Sequence, residues 1–356
     1  MNNIASIQNA LIEKNLDAVL ITNEKNQRYA TGFAFTDGAV VVSRKGAWLL
    51  TDSRYIEAAE LEAGSCAKVQ MFDKDHSLTE LIKAALKESG AERVGAEEQS
   101  MSYSAYKSYR EQLGLELLPA QDIFSSLRGA KNEEEIAFMR QAQAISEKAL
   151  EDVLHIIKPG MTEREVAAEL VYRMLKYGSE GNSFDPIVVT GAKTSMPHGV
   201  PGDQIIKEGD FVTMDFGSIK GGYCSDMTRT VAIGHATEEM KQVYSTVLEA
   251  QLAGIAAAKA GIEGRQLDAA ARKVIADAGY GPYFGHGFGH SLGLDIHEAP
   301  NAGPRSDAIL PAGAVVSAEP GIYLPGRFGV RIEDVIIIRE GGCENITKAP
   351  KQLIIL

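Results

Sequence analysis

Residues 211–231 read FVTMDFGSIKGGYCSDMTRTV, two apolar-rich runs joined by SIKGG. Such runs around a glycine-containing link predict a β-hairpin. With Lys220 facing Gly221 across the turn, Asp215 stands directly opposite Asp226. Facing carboxylates on adjacent strands lie about 4.5–5.5 Å apart and repel each other. Solvation on an outer face, a shared proton or a bound cation would each relieve that repulsion.

The remainder of the chain favours the cation. Glu319 in VVSAEPGIY and Glu333 in GVRIEDVIII lie in apolar, strand-like runs, where an unpaired carboxylate is costly to bury. The glycine-rich run FGHGFGHSLGLDIHE places His286, His290 and His297 within twelve residues, three of the seven histidines in the chain. Its glycines let backbone approach a ligand closely. Four carboxylates and an imidazole make an oxygen-rich ligand set without thiolates, which excludes a cysteine-type structural zinc site. Such a set suits Mn²⁺, Fe²⁺, Co²⁺ or Zn²⁺ better than Ca²⁺. Four negative charges are balanced by two divalent cations and not by one. Two adjacent cations holding a bridging water as hydroxide and polarising a carbonyl are equipment for hydrolysis.

Such a site needs a frame of some size. The 356 residues suggest about two domains, and 45% apolar with 24% charged residues is ordinary for a globular protein. A formal charge of −12 argues against nucleic acid or an anionic membrane as a partner. No apolar run approaches a membrane span, and the first residues, MNNIASIQNALIEKNL, lack the pattern of a secretory leader. Cys66, Cys224 and Cys343 are odd in number and scattered, which suits a reducing cytoplasm. The first ~120 residues alternate strand-like (DAVLIT, GAVVVS, GAWLLTD) and helix-like (LTELIKAALKES, SYSAYKSYREQLG) segments. These predict an α/β domain over 1–124, with Trp48 and His76 as packing and surface residues. Asn132 followed by Glu135 predicts a helix start soon after the boundary.

The second part, 125–356, reads as a duplication. KPGMTEREVAAELVYRMLKYG at 158–178 aligns with KAGIEGRQLDAAARKVIADAG at 259–279. Gly160 meets Gly261, Arg164 meets Arg265, Ala168 meets Ala269 and Gly178 meets Gly279. NEEEIAFM and TEEMKQVY each open a long helix upstream, and each unit ends in strands bearing two carboxylates. The overall class is α+β, with two similar halves whose carboxylates meet at their seam.

The segments MDFG…CSDMTRT, GHGFGHSLGLDIHE, SAEPGIY and GVRIEDV, in this order, resemble the pita-bread metallopeptidases (peptidase M24). Within these they are most similar to the aminopeptidase P and prolidase branch, which cleaves Xaa-Pro bonds. The resemblance extends to a creatinase-like N-terminal domain over the first ~125 residues. It implies Asp215, Asp226, His290, Glu319 and Glu333 as ligands of two divalent ions, most simply Mn²⁺, with Asp226 and Glu333 bridging. It further implies Glu319 as general base, His297 at the oxyanion, His198 in SMPHGVPGD near the scissile bond, and His286 and Arg331 as supporting residues. A homodimer acting on short proline-containing peptides would follow.

Several residues keep a second reading. His198 follows Pro197 in a turn-rich loop and can be an ordinary exposed histidine, and His286 a satisfied hydrogen-bonding one. Arg331 can pair with Asp334 or another acid, and strand parity puts Cys224 beside Asp226, where it would line the site. Tyr283, Phe284, Phe288 and Tyr323 can line a proline pocket or pack in the core. Among functions, a methionine-aminopeptidase-like enzyme shares the ligand pattern but not the extra N-terminal domain. A creatinase-type hydrolase and a non-catalytic pita-bread binding module do not keep all five ligands. A dinuclear phosphoesterase would want more Lys and Arg than these segments offer.

Overall fold

A computed structural model of the chain describes residues 2–356. It divides into two compact units, Met1–Arg128 and Gly129–Leu356. The expected division at 124/125 falls inside the helix Gln121–Gly129, whereas the units part near the C-terminal end of that helix.

The first unit is a six-stranded mixed sheet. The strand Ala18–Ile21 lies between Gly38–Ser43, antiparallel to it, and Val94–Ala96, parallel to it. The apolar runs read as buried strands are buried along nearly their whole length. The helix Leu78–Ser89 begins at a reciprocal cap between Ser77 and Glu80 and ends at Gly90 in the left-handed region, so the sequence alone delimits it. Trp48 is buried in this core and His76 is exposed.

The second unit is the duplication. The helices Glu163–Lys176 and Gly264–Asp277 have the same length and the same offset as the aligned segments. The flanking glycines Gly160, Gly178, Gly261 and Gly279 all adopt positive φ. Gly160 N–H donates to the Ile206 carbonyl as Gly261 N–H donates to that of Leu310. The correspondence runs on through Gly209 and Gly313, both at positive φ, to the strands Phe211–Phe216 and Val315–Ala318. In each half the long helix (Glu133–Leu154 or Glu238–Ala257) and the shorter one cover one face of a sheet. Alternation along the strand then decides which residues face the seam. Val212, Met214 and Phe216 join the helix-side core, leaving Thr213 and Asp215 for the other face.

The halves are stitched where the strand Met227–Ala232 runs beside Phe328–Arg331 and the start of Asp334–Arg339. Glu333 N–H donates to the Thr228 carbonyl (3.1 Å), and the Thr230 hydroxyl donates to the Arg331 carbonyl (3.0 Å). Arg229, almost fully buried, pairs with Asp334 (2.8 Å) and donates to the carbonyls of Glu333, Ala349 and Pro350.

The hairpin differs from expectation in register. Its two turn residues are Gly221 and Gly222, at φ 58° and 82°, and Lys220 pairs with Tyr223. A tight hairpin of this hand needs positive φ at both central positions, which two glycines supply and lysine does not. Asp215 therefore faces Thr228, and Asp226 is its diagonal neighbour. The carboxylates still converge, though not as a directly facing pair.

Gly221 is also a close approach, since a Cβ there would lie 2.3 Å from the Phe138 ring. A Cβ at Gly326 (φ 72°) meets nothing within 4 Å. Gly326→Ala should cost about 1 kcal/mol, the left-handed penalty alone. Gly221→Ala should cost about 2–4 kcal/mol, because the ring must also move. Denaturant unfolding of the two variants checks the order.

Candidate active site

A cleft of about 660 Å³ opens at the seam of the two halves. All nine candidate residues line it: His198, Asp215, Asp226, His286, His290, His297, Glu319, Arg331 and Glu333. Their elements correspond between the repeats. Asp215 lies near the end of its strand, and Glu319 just beyond the matching one. Asp226 and Glu333 immediately precede Met227–Ala232 and Asp334–Arg339. His290 comes from the short strand Gly289–Ser291, between Glu298–Ala302 and Val315–Ala318.

Asp215, Asp226 and Glu333 are buried, and Glu319 is partly so. Burial first, and the neighbouring carboxylates Asp215 and Glu319 second, push the Asp226 carboxyl well above its ordinary range. Glu333 is pushed up in the same way, by burial and then by Asp226. Burial also raises Glu319. Donor atoms of Asp226, His290 and Glu333 all lie within 4.8 Å of one another. The His290 Nε2 stands 3.3 Å from Glu319 Oε1 and 3.6 Å from Asp226 Oδ2. Its Nδ1 faces the Ser291 carbonyl at 3.2 Å, which keeps that proton in place and leaves the Nε2 lone pair free. Burial lowers the pKa of this imidazole, so it is neutral. Two buried oxygens, Asp215 Oδ1 and Glu333 Oε1, have no hydrogen-bond partner. An orphaned carboxylate oxygen is expensive to bury, and a divalent cation is the partner that a hard oxygen set with one neutral imidazole would satisfy. The residues fit such an ion.

One guanidinium reaches into this charge. Arg331 Nη2 donates to Asp215 Oδ2 at 2.5 Å, Nε to the Thr228 hydroxyl at 3.0 Å and Nη1 to the Tyr323 hydroxyl at 2.9 Å. Asp334, the alternative acid for Arg331, points the other way and is taken by Arg229 and Lys351. Strand parity explains this, because Arg331 and Glu333 share a face that Asp334 does not. The Thr228 hydroxyl in turn donates a hydrogen bond to Glu333 Oε2 at 2.7 Å. His286 donates from Nδ1 to the Gly287 carbonyl (2.9 Å), so its Nε2 accepts from the Tyr323 hydroxyl (2.8 Å). Burial moves that phenol up to about 12 and keeps it protonated. His297 is exposed, with its ring centroid 4.3 Å from that of His290. Beside it, Glu298 pairs with buried Lys131 (3.2 Å) and accepts from the Asp295 N–H (2.9 Å). His198 is exposed on the rim.

One expectation is corrected, and one choice left open between cleft lining and core is decided. Cys224 does not line the cleft; its thiol faces the Leu294 carbonyl at 3.9 Å, because the chain leaves regular strand pairing between Cys224 and Met227. Nor do Tyr283, Phe284, Phe288 or Tyr323 line it. Phe284 and Phe288 belong to the core, Tyr283 faces solvent and Tyr323 serves the polar network. The apolar lining comes instead from Phe184, Ile187, Ile296 and Pro304. Thr228 and Arg229 were missed as supporting residues, although the alternation of Thr228 with Asp226 in DMTRT was a readable signal.

Comparison with known proteins follows the same outline. Residues 137–340 match the model of metallopeptidase family M24, and residues 3–129 that of the creatinase/prolidase N-terminal domain. The chain is similar to a solved Xaa-Pro dipeptidase from Bacillus anthracis, at 43% identity and a TM-score of 0.95, covering 99% of both chains. It is similar to an X-Pro aminopeptidase structure from Thermotoga maritima, at 37% identity and a TM-score of 0.92, covering 96% of this chain and 98% of that one. It is 36% identical to the Xaa-Pro dipeptidase of Pyrococcus horikoshii over 346 residues, 96% of each chain.

The raised carboxyls make a signed prediction for metal-stripped protein. A carboxyl raised in the fold contributes stability that is full below its unfolded pKa of about 4 and is lost as pH climbs through the folded value. The lowered histidines act oppositely below about pH 6.5, so wild type is compared with Glu333→Gln at each pH. Without metal, thermal unfolding should show wild type losing ground to Glu333→Gln as pH rises. Added Mn²⁺ should reverse the order. A metal-free difference that moves the other way with pH would refute the account.

Proposed function

The chain belongs to metallopeptidase family M24, and on that premise we propose that it hydrolyses the bond before proline in dipeptides and other short peptides. One observation carries this reading: four carboxylates from four segments and the free Nε2 of His290 converge in one cleft, with two buried oxygens still wanting a partner. Asp215, Asp226, His290, Glu319 and Glu333 would hold two divalent ions, for which Mn²⁺ is the natural choice given the oxygen-rich set. When bound, they supply Lewis-acid polarisation of the scissile carbonyl and a water acidic enough to ionise near neutral pH.

The remaining roles fall to side chains. Glu319, oriented by the Ser317 hydroxyl at 3.0 Å and raised by burial, takes the proton of the attacking water and returns it to the proline nitrogen as that bond breaks. Neutral His297, reaching from the open side, donates to the oxygen that gains charge as the carbonyl becomes tetrahedral. His198 meets the substrate from the exposed rim of the cleft. Arg331 orients Asp215 and, through Tyr323, fixes His286, whose ring nitrogens are both engaged within the protein. Phe184, Ile187, Ile296 and Pro304 offer the apolar surface that a pyrrolidine ring requires. The likeness to both a dipeptidase and an aminopeptidase supports the shared Xaa-Pro specificity and leaves substrate length as the second variable. A cytoplasmic homodimer completes the proposal, on the family resemblance and the scattered free cysteines.

Metal-stripped protein, with and without Mn²⁺, should be offered Ala-Pro, Ala-Pro-Ala and Met-Ala-Ser. Metal-dependent release of alanine from Ala-Pro alone makes the enzyme a prolidase, and cleavage of Ala-Pro-Ala makes it an aminopeptidase P. Preference for Met-Ala-Ser would overturn the proline assignment. His297→Ala should lower kcat by roughly 10²–10³-fold with Mn²⁺ content unchanged.

A further inference from the structure

The helix Glu163–Lys176 begins with a carboxylate that has no counterpart in the repeat. Glu163 is fully buried, whereas the matching residue is Gly264, where a Cβ would lie 2.1 Å from the Asn301 carbonyl. Both oxygens of Glu163 are committed. Oε1 accepts from the Thr190 N–H at 2.9 Å; Oε2 accepts from the Gly202 N–H at 2.9 Å and from Lys193 Nζ at 2.5 Å. Lys193 Nζ also donates to the Val200 carbonyl at 2.7 Å. Thr190 and Gly202 are the two ends of one loop, and Lys193 and Val200 lie inside it. His198, exposed on the cleft rim, sits near its tip.

These bonds close the loop on itself. A side chain with three bonds to the ends and interior of a segment holds it more firmly than turn hydrogen bonds alone, because it removes the freedom of both anchors at once. The far side of the loop is held separately, by the Thr194 hydroxyl accepting from the Gly329 N–H (2.8 Å) and by the Pro197 carbonyl facing Arg331 Nη1 (3.3 Å). Thr194 and Gly199 are buried, whereas Met196 and Val200, on either side of His198, are exposed and add little packing. The position of His198 is then set by the ion pair at one end of the loop, and by Thr194 and the Arg331 contact at the other.

We propose that Glu163 and Lys193 are positioning residues for His198, holding the 190–202 loop so that this imidazole is presented to the substrate in the cleft. The inference rests on the Xaa-Pro reading only in giving His198 a substrate to meet. No metal-ligand candidate lies on this loop, so the pair acts on substrate geometry and not on metal retention.

The test uses the full-length, Mn²⁺-loaded protein. Lys193→Met should lower kcat/KM for Ala-Pro by roughly 10–100-fold, the usual effect of a misplaced substrate contact, with bound Mn²⁺ unchanged. Lys193→Met combined with His198→Ala should be no slower than His198→Ala alone, since both remove one contribution. Lys193→Arg should recover part of the loss. Glu163→Gln/Lys193→Met removes both charges together and guards against a fold lost to an unpaired buried carboxylate. Hydrogen exchange supplies a readout independent of activity: residues 191–202 should exchange faster in Lys193→Met while the strands bearing Asp215 and Glu333 do not. Wild-type kcat/KM in Lys193→Met, additive losses in the combined variant, or unaltered exchange of the loop would each overturn the proposal. If the wild type cleaves no Xaa-Pro peptide, the functional reading fails, and the exchange result still decides whether the pair holds the loop.

Discussion

Four carboxylates crowded at the seam of two half-domains repel one another, and most of the second unit can be understood as the means of holding them there. Left to itself the cluster would relax by protonation or by parting of the strands that carry it. The pressure toward protonation is expressed in the raised pKa values of Asp226, Glu319 and Glu333. Parting is opposed by the stitch between the halves. Arg229 ties the Met227–Ala232 strand to Asp334 and to the carbonyls of the C-terminal segment, and Thr228 links Glu333 to Arg331. A pair of apolar half-domains would need no such ties, and the buried polar network is justified by the charge it confines.

Duplication gives that confinement its geometry. Each half presents a strand ending in one carboxylate and another beginning after a second, so that Asp215 and Glu319, Asp226 and Glu333 occupy matching places on opposite walls. Function enters where the copies diverge. The His290 strand has been drawn into the second sheet between two neighbours. In the first half, the helix start carries Glu163 and organises a loop; in the second, the matching position is a glycine pressed against backbone.

Local rules explain what the sequence disclosed and what it did not. Ser77 with Glu80, and Asn132 with Glu135, announce helix starts because a cap depends on residues three apart. The repeat was legible because glycines at positive φ are hard to replace, and four of them recur in register. The ligand candidates stood out because carboxylates on apolar strands are rare. The hairpin register was misjudged by centring the turn on Lys220 and not on the glycine pair, a matter of turn chemistry that the letters did contain. Other choices had no local signal to decide them. Nothing near Arg331 says that its partner is Asp215, 116 positions away, nor that Phe284 and Phe288 are spent on the core while Phe184 and Ile296 line the cleft. Those are consequences of packing the two halves together.

The pairing of Arg331 with Asp215 alters the charge balance first drawn from the carboxylates alone. Four carboxylates with one guanidinium leave a fixed charge of −3, and the neutral histidines add nothing. Two divalent ions, as proposed, would leave one positive charge in excess, and the hydroxide formed from the attacking water would balance it. A site of that sign favours hydroxide over neutral water, and low-dielectric walls strengthen the preference. Arg331 would thereby contribute to the reaction without touching the substrate: by neutralising Asp215 it favours loss of the water's proton, and the negative charge so gained passes to the carbonyl oxygen as the tetrahedral state forms.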